Sequence, residues 1–270
     1  MLAATFNVNG IRASARRGFG DWLAARGCDV VALQEVRCSA EELPDVFGDY
    51  QLAYHQGNLP GRNGVALLTR DKPTAIRTGF GHRSDPEGRY IEADLPGVTV
   101  ASLYLPKGDV PDGDEAALAR YKRKMAFMAS FRRYLPVARR RAAEAGREFL
   151  VMGDFNIAHE RIDLRNWRSN GRSSGFLPEE REWFATILGP RTIHDVVRRL
   201  NPGADGPYSW WSWRGNAFNN DTGWRIDYHL ATPGLAARAR NAVVDREASY
   251  DERLSDHAPV VVEYGDDHAC

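Results

Sequence analysis

The sequence predicts an α/β fold, a four-layer α/β sandwich of two packed mixed β-sheets flanked by helices, formed as one domain over residues 1–270. Three observations predict it. Strand-like and helix-like segments alternate in both halves of the chain, which favours sheets covered by helices. Between them, residues 50–105 carry short strands broken by Gly, Pro and Asp turns. A content of 43% hydrophobic residues over 270 positions, with aromatics throughout, is enough to bury a large core without a linker.

Residues 2–8 read as a strand, 19–26 as a short helix stopped by Gly27, and 29–33 as a buried apolar strand running into Gln34 and Glu35. This is a βαβ opening. The middle block supplies strands at 51–55, 64–69, 74–77, 89–94 and 98–104, most simply antiparallel. Residues 114–143 place Tyr121, Met125, Met128, Phe131, Leu135, Ala138 and Ala142 on one helical stripe, and Pro136 is expected to kink or split that helix. A buried strand at 149–154 precedes a polar stretch to about Phe176 that lacks periodicity; loops of that length in a compact domain are usually functional. Helices at 179–188 and 193–199, a Trp-rich region, and strands at 225–231, 242–245 and 259–263 complete the chain.

Composition narrows the class. Lys plus Arg and Asp plus Glu number 36 each, so bulk charge does not announce a nucleic-acid binder. The arginines between Arg120 and Arg141 form either a basic face or a solvated helix surface. Cys28, Cys38 and Cys270 are too few and scattered for a disulfide framework or a CxxC-type zinc site, which suggests a reducing, cytoplasmic setting. The start of the chain has no basic n-region with an apolar h-region, and no stretch has the length of a membrane span, so no membrane partner is expected. There is no sign of an obligate protein partner.

Chemistry concentrates at strand ends. Asn7 and Asn9, Gln34-Glu35, Tyr104, Asp154 with Asn156, Asp227, and Asp256-His257 each terminate or open an apolar run. Strand ends are rigid, and they can bring oxygen ligands and proton donors from distant sequence to one point. Mg²⁺ takes a few carboxylates plus water and phosphate oxygens, so the pattern reads as a phosphate-ester enzyme using Mg²⁺, with Mn²⁺ as the alternative ion. Glu35 and Asp256 fit as ligands. Glu35 alone reads more readily as a strand-ending acid paired with an arginine. A carboxylate such as Asp227 can orient His257 for proton exchange, and Asp154 can align an attacking water. Taken singly, His257 and Asp227 also fit ordinary structural roles, and two asparagines in a turn are good turn formers.

The chain resembles exonuclease III and the abasic-site (AP) endonucleases of the endonuclease/exonuclease/phosphatase superfamily. The resemblance runs through Phe6-Asn7-Val8-Asn9-Gly10-Ile11-Arg12, Leu33-Gln34-Glu35, Tyr104-Leu105-Pro106, Gly153-Asp154-Phe155-Asn156 and Ser255-Asp256-His257-Ala258-Pro259. Motifs of the DNA-repair branch are Ile162-Asp163-Leu164-Arg165-Asn166, Gly175-Phe176 with Glu179-Glu180-Arg181, and Gly223-Trp224-Arg225-Ile226-Asp227-Tyr228. The resemblance implies Glu35 as principal metal ligand with Asn9 and Asp256 near the ion. It implies Asn7 supporting Asp154, and Asp154 and Asn156 handling the water and the scissile phosphate. Tyr104 would sit by the phosphate or leaving group, and Asp227 would orient His257. Some members carry an aspartate where Asn9 stands, so this site has one carboxylate fewer.

The implied reaction is hydrolysis of double-stranded DNA 5′ to abasic sites, with removal of 3′-blocking groups and 3′-terminal nucleotides. Arg12, Lys107, Arg165 and Asn166 are the expected DNA contacts, which hold phosphates without reading sequence. Trp210, Trp224 and Ile226 are expected to line a pocket for a flipped-out sugar. Core packing is the expectation for Trp211 and fits Trp213 too. The alternatives are a family member specialised for 3′-phosphatase and exonuclease work, a phosphoesterase on other substrates, or a silent DNA-binding module.

Overall fold

The computed structural model describes residues 1–59 and 61–265. One sheet contains β1 (Leu2–Asn7), β2 (Val30–Gln34), β3 (Gln51–His55), β4 (Val65–Thr69), β11 (Ala239–Val244) and β12 (Val260–Tyr264), in the order β11-β12-β1-β2-β4-β3. The other contains β5 (Ala75–Thr78), β6 (Tyr90–Leu95), β7 (Val98–Tyr104), β8 (Glu148–Asp154), β9 (His194–Asp195) and β10 (Asp227–Ala231), in the order β5-β6-β7-β8-β10-β9. Each sheet is mixed in the same way. Its central pair is parallel, β1 with β2 and β7 with β8, and every other pairing is antiparallel.

Parallel pairs need crossovers, and helices supply them. Helices α1 (Ile11–Arg16) and α2 (Phe19–Arg26) join β1 to β2, and α3 (Glu115–Glu144) joins β7 to β8. Because strand side chains alternate, Ala3, Val30, Ala32 and Leu67 meet Ile91, Val100, Leu150 and Met152 between the sheets. The opposite faces pack outward. Ala4, Phe6, Val31 and Leu33 meet Ile11, Phe19 and Leu23, while Leu103, Phe149 and Val151 meet Phe127, Phe131 and Leu135 of α3 and Phe184 of α4 (Pro178–Ile187). Four layers result, as expected.

Two expectations need correction, and two short helices were not expected. The helix carrying Pro136 is neither split nor ended there; α3 runs from Glu115 to Glu144. Pro136 lies on the exposed side, where a freed carbonyl meets water, and buried Leu135, Ala138 and Ala142 anchor the helix around it. The helix expected over 193–199 starts later. His194 and Asp195 pair with Ala231 and Leu230, and Asp195 then caps α5 (Val196–Leu200) by accepting from Arg198 N at 3.1 Å. Helices α1 and α6 (Pro233–Ala237) escaped sequence reading, since six and five residues carry too little periodicity to register.

The arginines of α3 are partly tied to acids: Arg120 to Asp109, Arg123 to Glu87 and Arg141 to Glu92. Cys28 and Cys38 are buried and free, and Cys270 lies outside the described residues. Among the described residues, no helix is long and apolar enough to cross a membrane.

Candidate active site

The parallel centre of each sheet fixes where the site forms. Strands that run the same way end together, so Asn7 lies beside Gln34 at the end of β1 and β2, and Tyr104 beside Asp154 at the end of β7 and β8. Asp227, the first residue of antiparallel β10, pairs directly with Asp154. Asn7 then joins the two sheets. Its fully buried Nδ2 donates 2.9 Å to Glu35 Oε1 and 2.9 Å to Asp154 Oδ2.

Asp154 is the centre of the arrangement. Its Oδ1 accepts from Asn156 N at 2.8 Å, and Oδ2 also accepts from Asn156 Nδ2 at 3.2 Å. Burial pushes its carboxyl up to about 7, with Asp227 and Glu35 adding to the rise and His257 opposing it. His257 presents Nε2 3.8 Å from Asp154 Oδ2, while its Nδ1 lies 2.8 Å from Asp227 Oδ2. Burial works against charge on this imidazole. The charge of Asp227 and the hydrogen bond to it outweigh burial and lift His257 to about 10. Ser209 fixes Asp227 in turn, donating 2.6 Å to Oδ2 and accepting from Asp227 N at 3.2 Å.

A cleft of about 440 Å³ opens onto these groups. Glu35, Asn9, Tyr104, Asp154, Asp256 and His257 line it, with Lys107, Asn156, Trp210, Trp224 and Ile226. Asp227 stands behind His257, buried. Asn9 Nδ2 donates 2.8 Å to Asp256 Oδ1, and burial beside Glu35 and Asp154 pushes the Tyr104 hydroxyl well above its ordinary value. The amide of Asn156 points inward, Nδ2 donating 2.9 Å to Leu105 O as well as to Asp154.

Three of the four expected phosphate contacts stand away from the cleft wall. Arg12 is exposed and pairs with Glu42 at 2.8 Å, Arg165 is exposed and 3.7 Å from Asp205, and Asn166 is exposed. Trp210 and Trp224 form one wall as a T-shaped pair with centroids 6.2 Å apart, and Trp210 Nε1 donates 3.1 Å to Asp256 Oδ2. Gly175 sits behind that wall at φ 93; a Cβ there would lie 3.2 Å from the Trp224 ring and 3.1 Å from Asn156 O, so no side chain fits without a shift. Trp211 is core, packed on Phe218, and Trp213 is half-buried against Tyr250.

The donor set fits a hard cation. Glu35, Asp256 and Asn9 offer oxygens at one side of the cleft, and Glu35 Oε2 is buried with the Arg37 guanidinium paired to it. Asp154, Asp227 and His257 also place ligand atoms within 4.8 Å of one another. That trio is engaged internally through the Asp227–His257 bond, so it suits proton handling better than metal holding.

Residues 4–257 match the model of the Endonuclease/Exonuclease/phosphatase family. The chain belongs to that family. Exodeoxyribonuclease III of Haemophilus influenzae is 32% identical over 98% of this chain and 100% of its own length. The DNA repair nuclease APEX1 of Danio rerio is 31% identical over 97% of this chain and 81% of its own. Among solved structures, the 3′ phosphatase NExo from Neisseria, bound to a product DNA hairpin, superposes with a TM-score of 0.85 at 27% identity, covering 98% and 99% of the two chains. The expected kinship with exonuclease III and AP endonucleases, and the expected fold, are borne out.

Within this family site, sequence reading missed Arg37, Ser209 and Lys124. Lys124 is fully buried, pairs with Glu180 at 2.6 Å and donates 2.9 Å to Asn156 O. Glu180 accepts from Gly175 N and Leu177 N at 2.6 and 3.0 Å, so this pair ties α3 to the backbone of Asn156 and Gly175 at the cleft. The available signal was a lysine inside an apolar helical stripe. Arg37 had none: it and Glu35 adopt left-handed backbone, φ 57 and 53, which sequence does not announce for such residues.

Proposed function

We propose that residues 1–270 act as one catalytic domain, a divalent-cation-dependent DNA repair phosphodiesterase that cleaves duplex DNA 5′ to abasic sites and removes 3′-blocking groups and 3′-terminal nucleotides. The single observation that carries this is the geometry at Asp154, a buried carboxylate opening onto the cleft, held by Asn7 and Asn156 with His257 Nε2 3.8 Å away, where burial pushes its pKa up. Such a carboxylate is a base poised near neutral pH for an attacking water. His257, kept cationic by Asp227, offers a proton and positive charge where negative charge develops on a phosphate oxygen. Tyr104, with a raised pKa, stays a phenol and donates a hydrogen bond in the same space.

Glu35, Asp256 and Asn9 are the residues that would hold Mg²⁺, or Mn²⁺. The ion would supply Lewis-acid stabilisation of the phosphate and leaving oxygens. Lys107 and Asn156 lie at the cleft to meet phosphates, and Arg12, Arg165 and Asn166 lie further out along a duplex. Trp210, Trp224 and Ile226 form an apolar wall of the kind that receives an extruded sugar.

A second reading shares this centre and differs in emphasis. The structural likeness to a 3′ phosphatase supports 3′-end cleaning as the main activity. Rates on an abasic duplex, a 3′-phosphate duplex, a recessed undamaged duplex and an inositol phosphate, measured side by side with Mg²⁺, separate the two. Abasic incision at a rate comparable to 3′-phosphate removal is the expected result. Turnover on 3′ ends alone would move the assignment to the second reading, and turnover on the inositol phosphate alone would overturn both.

A further inference from the structure

Given the proposed role of Glu35 and Asn9 as ligands, on which this inference rests, Arg37 stands in an unusual position for a residue of a cation site. Its guanidinium pairs with Glu35 Oε2, and Nη1 donates 2.6 Å to Asn9 Oδ1. Those are oxygens that a hard cation would need. Asn9 has no freedom to turn the other atom forward, since its Nδ2 is committed to Asp256 Oδ1 at 2.8 Å. Glu35 Oε1 is likewise committed, accepting from Asn7 Nδ2 at 2.9 Å, which leaves Oε2 as the open atom of the carboxylate. The left-handed backbone at Asn9, Glu35 and Arg37, φ 46, 53 and 57, is a costly conformation retained where the three side chains meet.

Arg37 also has somewhere else to go. Its side chain is 41% exposed, against 11% for Glu35, and it lines both the catalytic cleft and an adjoining cavity of about 280 Å³ formed with Gly10, Arg12, Ala13, Arg16 and Val36. The backbone of that neighbouring cavity is set by Gly10, whose φ of 102 allows the turn from β1 into α1. An arginine cannot lose its charge at any working pH, so its competition for an oxygen is permanent unless the side chain moves.

We infer that Arg37 is a tethered competitor of the divalent cation, sharing Glu35 Oε2 and Asn9 Oδ1 with it and thereby setting the metal affinity of the site. It is a positioning residue here, acting on the ion's ligands. A unit charge and a double charge about 6 Å apart in a water-like medium repel by enough to change an affinity about tenfold, or about 1.4 kcal/mol.

The test is a Mn²⁺ titration followed by the electron paramagnetic resonance signal of the free ion, without DNA, on the full chain and on Arg37→Met, Arg37→Lys and Glu35→Gln. Thermal melts of each variant confirm folding independently of metal. Arg37→Met is expected to bind Mn²⁺ about tenfold more tightly than the unaltered protein, Arg37→Lys within about threefold of it, and Glu35→Gln far more weakly. Equal or weaker binding by Arg37→Met overturns the inference, as does a lysine variant that binds as tightly as the methionine one, because charge is what competes. If Glu35→Gln loses affinity while Arg37→Met is unchanged, the competition alone fails. If Glu35→Gln binds like the unaltered protein, the ligand role of Glu35 fails and the competition falls with it.

Discussion

Two clusters of buried charge come close in sequence at Arg225 and Asp227 and differ in how completely they are neutralised. In one, Arg225 donates to both oxygens of Asp163 at 2.7 and 2.9 Å and to both of Asp195 at 3.1 and 2.8 Å, with Arg198 and Glu160 N completing Asp163. In the other, Asp154, Asp227, Glu35 and His257 crowd together; Asp227 Oδ1 is buried without a hydrogen-bond donor, and Glu35 Oε2 is met by the partly exposed Arg37 guanidinium. The pKa directions differ accordingly. Burial would raise Asp163, but Arg225 overrides it and holds the carboxyl below its ordinary value, whereas burial wins at Asp154. Complete pairing makes a brace between the 160s loop and β10; incomplete pairing leaves reactive groups facing a cleft. Buried charge by itself does not separate scaffold from chemistry. Compensation does.

The sharpest way to break this contrast is to alter each cluster and read both rate and stability. Asp154→Asn or His257→Ala is expected to lower abasic-site incision by about 10² to 10⁴, as for lost proton-transfer groups, with the melting temperature held or raised. A variant retaining near-normal turnover removes that residue from the mechanism. Arg225→Met should do the reverse. It strands two buried carboxylates and should cost about 3–5 kcal/mol in urea melts, while the folded fraction keeps activity within about tenfold. A stable but inactive Arg225→Met would place this arginine in the chemistry instead.

Next in size is the response to pH, which has opposite sign in the two clusters. Asp163, depressed in the fold, contributes stability above the ordinary carboxylate pKa of about 4 and loses it as pH falls through its lower folded value. Asp154, raised, does the opposite: its protonated form is favoured by folding, and that advantage disappears as pH climbs from about 4 through about 7. In EDTA, Asp154→Asn should therefore gain melting temperature relative to the unaltered protein between pH 5 and 8. Asp163→Asn should be the less stable partner throughout that range, the gap closing only in stronger acid. Shifts of the same sign for both variants would erase the distinction.

Legibility in the sequence divides along the same line. Strand-end polar residues such as Asn7, Tyr104, Asp154, Asp227 and His257 could be found because an apolar run that stops at an acid or amide is a local pattern, and parallel strands then bring such ends together. The pairing partners could not. Ser209 beneath Asp227 and Arg37 on Glu35 are contacts between side chains that nothing local marks, and the place of Lys124 in an apolar helical stripe does not name Asn156 O as its partner. Glu35 shows the limit well: taken alone it reads more readily as an acid paired with an arginine than as a ligand, and the fold places Arg37 on it while leaving it in the cleft. Short elements that depend on tertiary pairing, such as the β9 strand ahead of α5, were likewise invisible to periodicity.

The smallest expected effect concerns selectivity. Replacing Trp210 or Trp224 by Ala should weaken abasic-site incision by several-fold more than exonuclease activity, since stacking contributes about 1–3 kcal/mol where a nucleotide rests on an aromatic wall. Equal losses on both substrates would make these tryptophans packing residues only.

The most direct test of the incompletely neutralised cluster as a cation-dependent phosphodiesterase centre is cleavage of a duplex bearing one abasic site, before and after chelation. Incision 5′ to the site leaving a 3′-hydroxyl, abolished by EDTA and restored by Mg²⁺ or Mn²⁺, is the expected result. Cleavage undiminished in EDTA, or no cleavage with either ion, would contradict it.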